Sequence, residues 1–230
     1  MFASWEAGFW KVLGERFRPD LIVGASAGAW NGWCLAGGGT AADLLREWLD
    51  PRTGTYMQWG LHRRGCLRPE ALHQKARELF DQYHPRVPFG LTLTEVPSLR
   101  AVLARDGEVT WQHLAATASI PLCFPPLKIG GRRYVDGGVR AALPLWAAAQ
   151  MGATRIVALQ VLTTLPFRIL RMVIRAPKPA TGIEVVQFQP SRPLGSLRDA
   201  AVWSAARVRE WMDLGERDAV HLLQTYGGEI

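Results

Sequence analysis

Ser26 sits at the centre of Gly24-Ala25-Ser26-Ala27-Gly28, a G-x-S-x-G string that closes the apolar run Leu21–Val23. A serine that attacks an acyl carbon needs a sharp strand-to-helix turn, which lifts its hydroxyl off the end of a sheet. Such a turn strains the serine backbone. Side chains two positions away on either side would strike neighbouring backbone, so glycine is favoured at 24 and 28. Ala25 and Ala27 are small enough for a crowded elbow. The next segment, Ala27–Leu35, reads as a helix whose amide dipoles favour negative charge developing at its start. Taken alone, the string also fits a plain strand-turn-helix.

A second chemical group lies in Tyr134-Val135-Asp136-Gly137-Gly138-Val139. An apolar strand end here delivers a carboxylate, and the two glycines permit close backbone approach. The plain alternative is an Asp-Gly turn. Ser26, Asp136 and His221 also follow the chain order of an α/β-hydrolase triad. Against that reading, too little chain precedes Ser26 for the earlier strands of that fold. His221 also lies in the helical run Asp218–Leu223, where a solvated or packed histidine is the simpler assignment.

The elements that must position these groups follow from periodicity. Ala3–Phe17 carries apolar residues at helical spacing, and Arg18-Pro19-Asp20 ends it before the strand at Leu21. Gly37-Gly38-Gly39 follows a helix and lacks a Lys-Ser/Thr ending, so it reads as a helix stop and not a phosphate loop. Helices are expected over Ala41–Leu49, Pro69–Tyr83, Trp111–Ser119 and Pro144–Met151. Strands are expected over Phe89–Val96, Arg155–Val161 and Ile183–Phe188, with Lys128–Val135 turning at Gly130-Gly131. Leu99–Ala104 and Glu108–Thr110 read as a hairpin around Asp106-Gly107. Arg52–Arg68 reads as a loop or short helical stretch and is the first place to look for a lid. Leu197–Tyr226 is mostly helical, with a break expected at Gly215. Alternating helices and strands give an α/β fold with a largely parallel sheet.

Leu165–Arg175 places Arg168, Arg171 and Arg175 on one helix face, with apolar residues filling the rest. Two readings stand: a helix packing its wide apolar face on the sheet, or a basic amphipathic helix on an anionic membrane.

The 230 residues carry a net charge of +7 and are 48% hydrophobic. That length makes one domain with a sizeable core, and the composition excludes a disordered chain. The positive charge suits phospholipid or nucleic acid, although an arginine-rich, solvated surface is the simpler reading. Aromatic-basic interleaving and a recognition helix are missing, so no nucleic-acid partner is expected. Cys34, Cys66 and Cys123 are scattered and odd in number, which points to a reducing compartment. His62 and Cys66 lack further metal-spaced partners, so no metal is expected. No apolar run reaches membrane-spanning length, and no signal-peptide pattern opens the sequence. The expected location is cytoplasmic. Contact at the inner membrane face belongs to the second reading of the basic helix.

Together these pieces resemble the patatin-like phospholipase family. Pro19–Gly28 (PDLIVGASAG), Ala115–Pro126 (AATASIPLCFPP) and Arg133–Val139 (RYVDGGV) match its motifs in order and rough separation. Residues 50–90 and the C-terminal quarter are only compatible with it. The resemblance implies a single domain over residues 1–230, a three-layer sandwich with helices on both sheet faces. It also implies a Ser–Asp dyad without metal or cofactor. Ser26 matches the nucleophile and Asp136 the base, with Gly24, Ala25, Ala27 and Gly28 forming the elbow and Gly137 and Gly138 supporting the base. The implied substrates are acyl esters of lipids, phospholipid or lysophospholipid, cleaved through an acyl-enzyme.

One departure bears on activity. The family's oxyanion hole comes from a G-G-G-x-R-G turn after a first strand. Ala7–Leu13 resembles the first helix, so Met1 falls inside that motif and Phe2 takes the arginine position. The expectation is that the first strand and its glycines precede residue 1, with Met1 an internal methionine. Three functions follow: a dyad lipid acyl hydrolase, a triad esterase, or a scaffold that binds lipid or a partner without turnover.

Overall fold

The computed structural model describes residues 1–57, 59–62, 65–162, 177 and 182–225. The expected basic helix with Arg168, Arg171 and Arg175 lies outside the described residues.

The chain opens with α1 (Ser4–Arg16), β1 (Ile22–Gly24), α2 (Ala27–Ala36) and α3 (Ala41–Leu49). Thr40 starts α3 with a capping box: its Oγ1 accepts the Asp43 amide at 3.2 Å, and its own amide donates to Asp43 Oδ2 at 2.7 Å. A 3-10 turn over Pro51–Met57 leads into two short strands, β2 (Trp59–His62) and β3 (Gly65–Leu67), paired antiparallel. This hairpin lies where a loop was expected. α4 (Pro69–Gln82) begins at its proline, as a residue without an amide hydrogen favours.

β4 (Phe89–Val96) is the centre of the sheet, followed by β5 (Arg100–Arg105), α5 (Trp111–Thr117), β6 (Leu127–Ile129) and β7 (Arg132–Asp136). After them come α6 (Gly138–Ala141), α7 (Leu145–Gln150), β8 (Arg155–Leu159), β9 (Glu184–Phe188), α8 (Leu197–Ala201) and α9 (Ala205–Thr225).

The α/β architecture is present, and strand direction within the sheet is mixed rather than largely parallel. β1 runs parallel to β4, while the β4–β5, β4–β7 and β6–β7 pairs are antiparallel. β8 and β9 form a separate parallel pair. The cause is loop length: residues 97–99 join β4 to β5 and Gly130-Gly131 joins β6 to β7, and connections that short allow only antiparallel neighbours. The hairpin therefore turns at 97–99, whereas Asp106-Gly107 belongs to a 3-10 turn after β5.

Register on β4 positions the chemistry. Gly24 pairs with Leu91, Asp136 pairs with Leu93, and β5 pairs with both Leu91 and Leu93. Since β5 occupies one edge of β4 throughout, β1 and β7 share the other. β1 approaches along β4 and β7 approaches against it. Their carboxyl ends stop two residues apart, about 7 Å at strand rise.

Alternation on β4 makes the layers. Phe89, Leu91 and Leu93 pack with Trp33 of α2, Leu79 of α4 and Leu114 of α5. On the other face Val23, Ala101 and Leu103 meet Ala141 of α6 with Trp146 and Ala147 of α7. A second core joins α1 to α9 and β9 through Trp5, Phe9, Trp211 and Phe188. The break expected at Gly215 does not occur; helix is interrupted at residues 202–204 instead. Gly215 lies inside α9 because a Cβ there would sit 2.7 Å from the Phe9 amide nitrogen. It is small so that two helices can cross closely.

Candidate active site

Ser26 is the hinge between β1 and α2, with φ 53° and ψ −135°. A side-chain-bearing residue rarely holds that backbone, and its presence between strand and helix matches the strained elbow that the motif implies. Gly24 is required by space, since a Cβ there would stand 2.6 Å from the Ala29 nitrogen. Gly28 departs from the expectation. Its nearest neighbour would be Glu6 Oε2 at 3.4 Å, an ordinary contact. The crowding falls on Gly24 because the first turn of α2, at Gly28 O and Ala29, passes close over the end of β1.

Asp136 ends β7 at the point where β1 also ends. Ser26 Oγ donates to Asp136 Oδ2 at 2.6 Å, and the Gly138 amide donates to Asp136 Oδ1 at 2.6 Å. The carboxyl residue is 5% exposed. Burial pushes its pKa up to about 6, against the opposing hydrogen bonds from Ser26 and Gly138. Such a group is ionised at neutral pH yet basic enough to take a hydroxyl proton. Its backbone is fixed as well: the Asp136 amide donates to Ser119 O at 3.0 Å, and Thr94 Oγ1 donates to Asp136 O at 2.9 Å. Gly137 lies tight against Thr92, whose carbonyl oxygen a Cβ would strike.

Thr117 is the residue that sequence reading passed over. Its Oγ1 accepts the Ser26 amide at 2.9 Å and donates to Thr92 O at 2.8 Å. Thr92 lies between the β4 positions that pair with β1 and β7, so Thr117 braces the elbow across the notch between the two strand ends. The only signal was its place in the segment Ala115–Pro126; nothing in its type distinguishes it from any helix-end threonine.

His221 lies exposed on α9, and both Asp136 carboxylate oxygens have other partners, Ser26 and Gly138. The structure therefore brings together Ser26 and Asp136 and gives no triad contact to His221.

A cavity of about 410 Å³ lies behind the elbow. Gly24, Ala25 and Gly28 line it, whereas Ser26 and Asp136 do not. Its long walls are β1 and β8, and Glu6 faces it from α1. Burial raises the Glu6 carboxyl to about 7, although Asn31 Nδ2 donates to it at 2.9 Å. Among the described residues, β1 pairs only with β4 and β8 only with β9, so the facing edges of both strands are unpaired across this space.

A family model described as patatin-like phospholipase matches residues 1–149. The match covers more than half of the 230 residues and includes both strand ends, Ser26 and Asp136. The chain belongs to the patatin-like phospholipase family, a family of lipid acyl hydrolases.

Proposed function

We propose that the protein is a serine hydrolase of lipid acyl esters, phospholipid or lysophospholipid, working through a Ser26–Asp136 dyad. The observation that carries this reading is the 2.6 Å hydrogen bond from Ser26 Oγ to Asp136 Oδ2. As Ser26 Oγ attacks the ester carbonyl carbon, Asp136 takes its proton. The tetrahedral adduct collapses, the alkoxy group leaves with that proton, and an acyl-enzyme remains. Water, deprotonated by Asp136, then releases the fatty acid and restores Ser26. The strained Ser26 backbone supports the same assignment, because strain of this kind gathers at reacting centres.

The oxyanion needs donors besides the Ser26 amide, which is already held by Thr117. The first amides of a helix have no intrahelical acceptor, and α2 starts at Ala27, so its first turn supplies part of the field. The family's glycine-rich turn has no counterpart in residues 1–230. A strand carrying such a turn would fit the slot between β1 and β8. The two facing, unpaired edges and the cavity between them support this placement. One missing oxyanion donor costs about 10²–10³ in kcat.

The test is hydrolysis of a short p-nitrophenyl ester by the chain, by Ser26→Ala and by an upstream-extended form. The proposal expects serine-dependent turnover, larger by about 10²-fold or more in the extended form. Silence in both forms, with the proteins folded, would overturn it in favour of a lipid-binding scaffold. Location is proposed as cytoplasmic.

A further inference from the structure

The turn after α5 has no part in the dyad, yet its geometry is unusual. Leu122 is 87% exposed, far more than any other large apolar residue among the described residues, and Ile120 beside it is 43% exposed. Leu122 also holds φ 69°. That left-handed backbone suits glycine or asparagine, and a branched apolar side chain rarely adopts it. A glycine here would relieve the backbone and remove the exposed leucine at once. A single exposed leucine is ordinary; one held out on a strained backbone beside a candidate active site calls for a use.

The turn is built to hold its shape. The Cys123 and Phe124 amides both donate to Ile120 O, at 3.1 and 2.9 Å. Phe124 is 2% exposed and packs with Leu67 and Leu72. The Leu67 amide donates to Cys123 O at 2.9 Å, tying the turn to β3. Exposure of Leu122 is therefore imposed by its surroundings. One residue before Ile120, Ser119 O accepts the Asp136 amide. Three residues separate Ser119 from Leu122, so the leucine stands at most about 11 Å along the chain from the group that fixes the candidate base. Arg68, the residue after Leu67, is exposed. The whole chain carries +7.

We propose that the turn Ile120–Leu122 inserts into an anionic phospholipid surface and seats the mouth of the dyad on it. This rests on the acyl-ester hydrolase reading above. Leu122 and Ile120 enter the headgroup–acyl boundary, as apolar residues of an interfacial element do, while Arg68 meets the anionic headgroups. A substrate acyl ester lies at that same depth, so anchoring one residue stretch from Asp136 brings bond and dyad together without a deep lipid pocket.

Flotation with vesicles of equal parts phosphatidylglycerol and phosphatidylcholine tests it, in a Ser26→Ala background so that turnover plays no part. Leu122→Asp lowers the bound-to-free ratio about tenfold or more, the loss expected when a buried leucine is replaced by a charge. Leu122→Gly, which suits the turn, lowers the ratio while keeping thermal stability by circular dichroism. Pure phosphatidylcholine vesicles bind the parent less than the anionic ones. With Ser26 present, both Leu122 variants hydrolyse a soluble p-nitrophenyl ester within about twofold of the parent. Unchanged flotation of Leu122→Asp, or a parent that does not float, would overturn the proposal. Equal loss of soluble-ester hydrolysis would overturn it too, by making the turn a structural support. Failure of the hydrolase reading is seen separately, as soluble-ester hydrolysis that does not depend on Ser26.

Discussion

Asp136→Asn separates the stability of the site from its chemistry. Burial raises the Asp136 carboxyl from the ordinary 3.8 to about 6, while its two hydrogen bonds oppose the rise. The folded chain therefore holds this proton more tightly than the unfolded chain does. Stability from Asp136 is full below pH 4 and is lost as pH rises through 6. Between those limits the displacement corresponds to about 3 kcal/mol, at 1.36 kcal/mol for each tenfold change. Asparagine has nearly the same shape and carries no charge, so it escapes that cost. Urea unfolding of parent and variant at pH 4 and pH 8 measures the effect. Other titrating groups, Glu6 among them, cancel in the difference. The stability of Asp136→Asn relative to the parent rises by about 2–3 kcal/mol from pH 4 to pH 8, while ester hydrolysis falls by about 10³-fold. A difference that does not change with pH, or one of opposite sign, would refute the claim that Asp136 is a buried charge held for chemistry.

Three further outcomes follow from the same geometry. With the Asp136 carboxyl at about 6, kcat/KM rises through that pH to a plateau, and a stopped-time ester assay at pH 5 reads about a tenth of the plateau. Thr117→Val removes the acceptor of the Ser26 amide and the donor to Thr92 O; it lowers stability by about 1–3 kcal/mol in urea and reduces kcat more than KM, and Thr117→Ser restores both. Gly24→Ala collides with Ala29 and destabilises by about 1–3 kcal/mol, whereas Gly28→Ala meets only Glu6 Oε2 at 3.4 Å and is neutral or up to about 1 kcal/mol stabilising in thermal melts.

Ser26 and Asp136 stand out in the sequence as candidates because each lies in a short string whose chemistry constrains its neighbours. Their meeting does not. It depends on β1 and β7 sharing one edge of β4, and register between strands far apart in sequence leaves no local trace. Gly24 and Gly28 look equivalent in the motif, yet only Gly24 is hemmed in, since the direction of α2 decides what lies near each. Strand direction escapes the sequence for a related reason. Alternation of helices and strands suggested crossover connections, but residues 97–99 and Gly130-Gly131 are tight turns that fold the chain back on itself. Asp106-Gly107 carried a strong turn signal and does turn, although after β5 and not between paired strands. At Gly215 the low helix propensity of glycine was overridden by packing against α1. Thr117 was invisible because its work is tertiary: a hydroxyl placed between two backbones.

We propose that Asp136 activates Ser26 without a histidine. Intact-mass analysis after treatment with a fluorophosphonate tests it most directly. One covalent adduct is expected, mapped to Ser26 by peptide sequencing, absent in Ser26→Ala, strongly slowed in Asp136→Asn and undiminished in His221→Ala. An adduct on another residue, or labelling of Ser26 that needs His221 and not Asp136, would contradict it.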